Sequence, residues 1–149
     1  TEAEKETNYN YNTYGVLYNL EAALDACPPG THLPTDEEWN SLEKAFWTEG
    51  SCLITGTGST GWSRCKKAGT KLKGWGDEPE TNESDFTALP GGYRSGTNHE
   101  FDRIDSYAYF CSSSKSGANA WRRILSTSQV GVSRSDVSKA DGYSVRCVQ

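Results

Sequence analysis

No apolar stretch of this chain is long enough to cross a membrane, and nothing in it reads as a secretory signal peptide. It opens on Thr1, so a leader or anchor removed upstream is compatible with both observations. Histidine is scarce, with only His32 and His99. Nucleophilic catalysis needs a nucleophile and a base converging in space, and neither histidine sits in a motif that supplies this. No cysteine pair has Cys-x-x-Cys spacing, so the usual zinc and thiol-redox signatures are missing. Charge of one sign is also lacking: the net −5 is spread through mixed acids and bases, whereas a nucleic-acid partner calls for a basic face.

What is present is a chain of single-domain length, 149 residues, with 5 Trp, 8 Tyr and 4 Phe as bulky core and surface material. Its 15 Gly point to a turn-rich fold rather than a helical bundle. Residues 1–12 are polar, and the acidic run Thr1 to Glu6 reads as a solvated tail; residues 13–149 form the domain. The cysteines are Cys27, Cys52, Cys65, Cys111 and Cys147, an odd number that leaves at least one thiol free or paired between chains. Cys27 with Cys147 would tie the chain's ends together, and Cys52 with Cys65 would close a Gly-rich loop. Both pairs would require an oxidising compartment; the alternative is buried, reduced thiols.

The local signals predict an α+β fold. Thr13 to Tyr18 reads as a first strand. Asn19 is a good N-cap for a helix through Cys27, stopped by Pro28-Pro29-Gly30. Thr35-Asp36-Glu37-Glu38 is a capping box that opens a second helix, with Trp39, Leu42 and Phe46 on its core face and Gly50 at its end. Beyond Ser51 no further helix is expected. The strand candidates are Phe86 to Leu89, Tyr107 to Ser112, Ala120 to Ser126 and Tyr143 to Val148, with Ser126 to Ala140 as a permissive loop.

Three motifs are read as structural rather than functional. Gly56-Thr57-Gly58-Ser59-Thr60-Gly61 matches a dinucleotide-loop pattern, but no amphipathic helix follows to hold a pyrophosphate. Asp77, Glu78, Glu80, Glu83 and Asp85 are a solvated acidic loop without an EF-hand pattern. Phe86 to Arg94 reads as a strand entering a tight turn at Gly91-Gly92. No cofactor or metal is expected. Asn82-Glu83-Ser84 fits a glycosylation acceptor, relevant only in a eukaryotic secretory route.

Several ordered blocks carry a resemblance. They are Tyr14-Gly15-x-Leu17-Tyr18-Asn19; Ala26-Cys27-Pro28-Pro29-Gly30-x-His32-Leu33-Pro34-Thr35-Asp36-x-Glu38-Trp39; Ala68-Gly69-Thr70-Lys71-Leu72-Lys73; Phe86-x-Ala88-Leu89-Pro90-Gly91-Gly92-Tyr93-Arg94; Ala120-Trp121-x-Arg123-x-Leu125; and Gly142-Tyr143-Ser144-Val145-Arg146-Cys147-Val148. Over residues 14–148 the chain resembles the Fibrobacter succinogenes major paralogous domain. The resemblance implies a C-type lectin-like fold of the formylglycine-generating-enzyme branch: two helices, mostly antiparallel strands and paired termini. It also supports the Cys27–Cys147 bridge.

The same fold is used by variable proteins of diversity-generating retroelements, in which adenine positions near the 3′ end of the gene are rewritten. Trp121, Arg123, Leu125, Val132, Arg134 and Lys139 hold the family pattern. Between them, Arg122, Ile124, Ser126, Ser128, Gly131, Ser133, Ser135, Asp136 and Val137 are all residues that an Asn codon of the AAC type can reach, whereas Gln129 is not. Strand alternation puts Arg122, Ile124 and Ser126 opposite Trp121, Arg123 and Leu125. Ala108, Phe110 and Ser112 are expected to join them in one patch, with Phe110, Ile124 and Arg122 as anchors. Cys111 stands where the family usually has Trp, and is the candidate free thiol.

The resemblance does not carry catalysis: no counterpart of the copper-binding cysteine pair is found by motif. Calcium-dependent sugar binding is not carried either, since Glu78-Pro79-Glu80 is only a partial echo of Glu-Pro-Asn. The expectation is therefore a non-enzymatic, extracellular or cell-surface module that binds protein or glycan, with no nucleic-acid partner. The alternatives are a structural or adhesive surface domain without a diversified site, and a copper- or calcium-dependent enzyme.

Overall fold

The computed structural model describes residues 9–47, 52, 54, 60–62, 64–79 and 81–149. The Thr1–Glu6 run, Gly50, Gly56 to Ser59 and Glu80 lie outside the described residues. Among the described residues the chain forms short helices α1 (9–14), α2 (Leu20–Leu24), α3 (Asp36–Ala45) and α4 (Ala68–Leu72). Strands β1 (Gly91–Arg94), β2 (Phe101–Ile104), β3 (Tyr107–Ser116), β4 (Asn119–Ser126) and β5 (Ser133–Val137) make one mixed sheet in the order β2-β1-β3-β4-β5. Only β1 and β3 pair in parallel; the other neighbours are antiparallel.

The capping signals act as the sequence predicts. Asn19 Oδ1 accepts from Ala22 N at 3.0 Å and opens α2. Thr35 Oγ1 accepts from Glu38 N at 3.2 Å, while the Glu38 carboxylate accepts from Thr35 N at 2.8 Å, completing the box that opens α3. The Thr35 N–H and the neighbouring His32, whose Nε2 lies 2.8 Å from Glu38 Oε1, hold the Glu38 carboxyl below its usual range. α2 ends at Leu24, short of Cys27.

Several expectations are corrected. The span Thr13 to Tyr18 is not a strand: residues 9–14 are helical, and only Tyr18 pairs, bridging Tyr143. The Tyr14 hydroxyl donates to Asp105, which ties α1 to the sheet. α4 is a helix that local signals do not announce. It starts from a left-handed Lys67 and is buried throughout, set by a close approach of Gly69 to the Gly131 carbonyl and a 3.1 Å bond from Thr70 N to Val130 O. Phe86 to Leu89 contributes one bridge, Ala88 to Lys73, and the strand begins at Gly91 instead. There Gly92 takes φ +66, and a Cβ would sit 2.3 Å from the Asp102 carbonyl. Ser126 to Ala140 is no open loop, because Ser133–Val137 is β5. Tyr143 to Val148 pairs through isolated bridges, Tyr143 to Tyr18, Ser144 to Phe110 and Val148 to His32, which bring the two ends of the domain together.

The β3–β4 hairpin is buried on both faces. One face, with Ala108, Phe110 and Leu125, packs on Trp39, Leu72 and Val132. Trp39, Phe86 and Phe110 form an aromatic triangle with centroids 5.5 to 5.8 Å apart. The other face, with Tyr109, Cys111 and Ile124, is covered by Leu20, Ala23, Leu33 and Tyr143. Cys27–Cys147 and Cys52–Cys65 are disulfides, as expected. Cys111 is free and buried; burial pushes its thiol up to about 12, so it is neutral and unreactive at physiological pH.

Inside the first core lies an ionic network. Arg123 on β4 donates to Asp36 Oδ1 at 2.7 Å, to Glu43 Oε1 at 2.6 Å and to Asn40 Oδ1 at 2.9 Å, all on α3. Arg134 on β5 grips both Asp36 oxygens, with Nη2 to Oδ2 at 2.8 Å, and Arg64 Nε donates to Glu43 Oε2 at 3.0 Å. All three arginines are at most 1% exposed.

Removing one member of such a network strands charge in a dry interior. Arg123→Ala is therefore expected to cost on the order of 3–5 kcal/mol in denaturant titrations; a loss below about 1 kcal/mol would show the network to be dispensable. Burial alone would raise the Asp36 pKa, but the bonds and charges of Arg134 and Arg123 outweigh it and hold the carboxyl below its ordinary range. The folded pKa thus lies below the unfolded one. The contribution is complete above the ordinary aspartate value of about 3.9 and fades as pH falls below it. Thermal melts of wild type should fall more steeply below that value than those of Asp36→Asn.

Candidate ligand-binding site

The second face of the hairpin opens at one end into a pocket of about 400 Å³ lined by Trp62, Tyr93, Arg103, Tyr107, Tyr109, Arg122, Val137 and Asp141. Its geometry follows from strand register. Tyr109 pairs with Ile124 and Cys111 with Arg122, so Tyr107, Tyr109 and Arg122 project from one face. Arg122 in turn pairs with Ser135 on β5.

The tyrosines form a stack. Tyr107 and Tyr109 lie 5.8 Å apart and 21° from parallel, and Tyr109 and Tyr143 5.7 Å apart at 25°. Tyr93 meets Tyr109 at 5.1 Å. The Arg122 guanidinium carbon is 5.2 Å from the Tyr109 centroid and 5.3 Å from that of Tyr143, and Arg103 lies 5.3 Å from Tyr107. Arg122 is fixed further by hydrogen bonds: Nε donates to Ser135 Oγ at 3.0 Å and Nη1 to the Tyr143 hydroxyl at 2.7 Å. That hydroxyl donates to Asp141 Oδ2 at 2.9 Å, and Asp141 Oδ1 accepts from Gly96 N at 2.8 Å. Burial raises the pKa of Tyr109 and of Tyr143, so both phenols stay protonated at neutral pH.

The residues expected to form the patch separate into two groups. Ala108, Phe110 and Ser112 are buried and share a face with Arg123 and Leu125, opposite to Arg122 and Ile124. Their inclusion is corrected: pairing sets even positions of β3 beside odd positions of β4. Ile124, Ser126 and Ser133 are buried too. Gly131 has no room for a side chain, since a Cβ would lie 2.6 Å from the Trp62 carbonyl. Arg122, Ser135 and Val137 are half-buried around the pocket, and Ser128 and Asp136 are exposed. Phe110 is thus no anchor, while Arg122 lines the pocket. Of the positions that hold the family pattern, Arg123, Leu125, Val132 and Arg134 are fully buried scaffold, while Trp121 and Lys139 are half-buried.

Tyr93, Arg103, Tyr107, Tyr109, Asp141, Tyr143 and Trp62 were not read as site residues from the sequence. The signal for two of them was present: Tyr107 and Tyr109 stand two apart on a strand. A larger hollow of about 460 Å³ between α3 and the C-terminal segment is lined mainly by Pro34, Leu42, Ala45, Phe86 and Val148. Its one arginine, Arg146, is occupied by the Phe86 ring and carbonyl, at 4.6 and 2.7 Å. Convergent polar groups on an apolar wall favour the tyrosine pocket as the site. Among the described residues, no group of three or more His, Cys, Asp or Glu is placed to hold a metal; Glu83 forms an ion pair with Lys71 at 2.8 Å.

Compared with known protein families, residues 1–149 match the model described as the Fibrobacter succinogenes major domain, and the chain belongs to that family. No curated protein and no solved structure matches it.

Buried and exposed members of the expected patch should respond differently to mutation. Phe110→Ala is expected to destabilise the fold by about 3–5 kcal/mol, and Asp136→Ala by no more than about 0.5 kcal/mol. Equal, small effects in chemical denaturation would contradict this division into scaffold and surface.

Proposed function

We propose that this member of the Fibrobacter succinogenes major domain family is a non-enzymatic ligand-binding module whose site is the tyrosine–arginine pocket. The observation that carries the reading is the preorganised wall: stacked tyrosines hold the Arg122 guanidinium between two rings and two hydrogen bonds. Such a surface binds by contact with little ordering cost. Asp141, the pocket's carboxylate, has each oxygen engaged in a structural hydrogen bond, which suits a positioning role.

The finer reading is that the fold is C-type lectin-like and that the module is a variable protein of a diversity-generating retroelement. Paired termini and the Cys27–Cys147 bridge support the first part. For the second, the diversified set is reduced to Arg122, Ser128, Ser135, Asp136 and Val137, the members that are not fully buried. The two disulfides suit an extracellular or cell-surface location. No described helix is long and apolar enough to cross a membrane.

The test is a screen of glycans and peptides against the folded chain, repeated with Tyr107→Ala and Arg122→Ala. Ligands bound by wild type should lose at least about tenfold in affinity in each variant, with circular dichroism unchanged. Retained binding in both variants would move the site elsewhere. Sequencing the gene's 3′ end across a population should show change confined to those five codons, with Trp121, Arg123 and Cys147 fixed.

A further inference from the structure

We infer that the pocket selects an acidic ligand, a glycan ring bearing a carboxylate, with Arg122 as the group that reads the charge. This rests on the pocket being the ligand site. Among the described residues, the charged hydrogen-bonding capacity left open in the pocket is donor. A guanidinium carries five N–H groups; those of Arg122 reach Ser135 and Tyr143 through Nε and Nη1, and Nη2 makes no hydrogen bond to the described residues. The hydroxyls of Tyr93, Tyr107 and Tyr109 make none to the described residues either, and each can donate to a ligand oxygen. Asp141, the one carboxylate lining the pocket, already accepts from Gly96 and Tyr143. A second guanidinium, Arg103, stands over Tyr107 at the rim. Its companion Asp102 is 3.4 Å away, and both side chains are more than half exposed, a pairing that offsets little of its charge.

A surface with surplus donors and flat aromatic walls complements a ligand that brings acceptors on an apolar ring. A carboxylate is the acceptor best matched to a guanidinium fork. The choice of a sugar over an acidic peptide follows from where the pocket lies. It opens on side-chain faces across the sheet, from Arg103 on β2 to Val137 on β5, rather than along the backbone of an unpaired sheet edge that would bind an extended backbone.

The probes are tetramers of galacturonate, glucuronate and mannuronate, each with its fully methyl-esterified form, which keeps the ring and removes the charge. Titration calorimetry of the full chain should show at least one free acid binding about tenfold or more tighter than its ester. The difference should shrink with added salt and be lost in Arg122→Gln. Arg103→Gln, an exposed position where folding is not at risk, should reduce it in part. Equal binding of acid and ester, or binding of none of the three acids, overturns the inference. If another ligand from the screen then binds in a Tyr107-dependent way, the pocket remains the site. If nothing bound depends on Tyr107, both readings fail together.

Discussion

The buried bonds from Arg123 and Arg134 to Asp36 are the constraint on which the rest depends. Asp36 sits in the first turn of α3, while the two arginines come from β4 and β5. The Asp36 carboxylate therefore locks the helix across two strands, and Glu43, further along the same helix, takes in Arg123 and Arg64. A network this dry contributes little net stability compared with apolar packing of the same volume. Its consequence here is register: Arg123 reaches both carboxylates only if β4 stands at one position along the helix, and a slip by one residue would turn the arginine out and bury Arg122 instead.

That fixed register determines the opposite face. With Arg123 pointing to α3, Arg122 must point away, towards Tyr109 and Tyr143. With Phe110 filling the space between Trp39 and Phe86, Tyr109 must face the pocket. Scaffold and site are thus alternate residues of the same two strands. Four of the residues that hold the family pattern, Arg123, Leu125, Val132 and Arg134, are the inward set, and half-buried positions between them are free to carry recognition. A rigid inner face presenting a changeable outer one is what a binding module requires.

Much of the frame was legible in the sequence. The capping box at Thr35, the Asn19 cap and the hairpin strands are consequences of local chemistry, while the free Cys111 and support for the Cys27–Cys147 bridge came from the family resemblance. The site was legible in part. Arg122 could be placed near a surface by alternation, and Ser135 and Val137 by the family resemblance, but Ala108, Phe110 and Ser112 were set on the wrong face. The cue that would have corrected them is the two-residue turn at Gly117-Ala118, which pairs Ser116 with Asn119 and so sets even residues of β3 against odd residues of β4. Burial of both hairpin faces also hid the site, because the second cover comes from α2 and the distant C-terminal segment.

By itself the sequence determined where α2 and α3 begin and which residues alternate along each hairpin strand, since each is decided by neighbours within a few positions. Only the tertiary structure decided which alternating set faces solvent, that Ala68–Leu72 winds into a helix against Gly131, and that Tyr93, Arg122, Asp141 and Tyr143 meet in one place. Those outcomes depend on which surfaces cover one another, and in this fold the covering pieces come from opposite ends of the chain, joined by Cys27–Cys147 and the Tyr18–Tyr143 bridge.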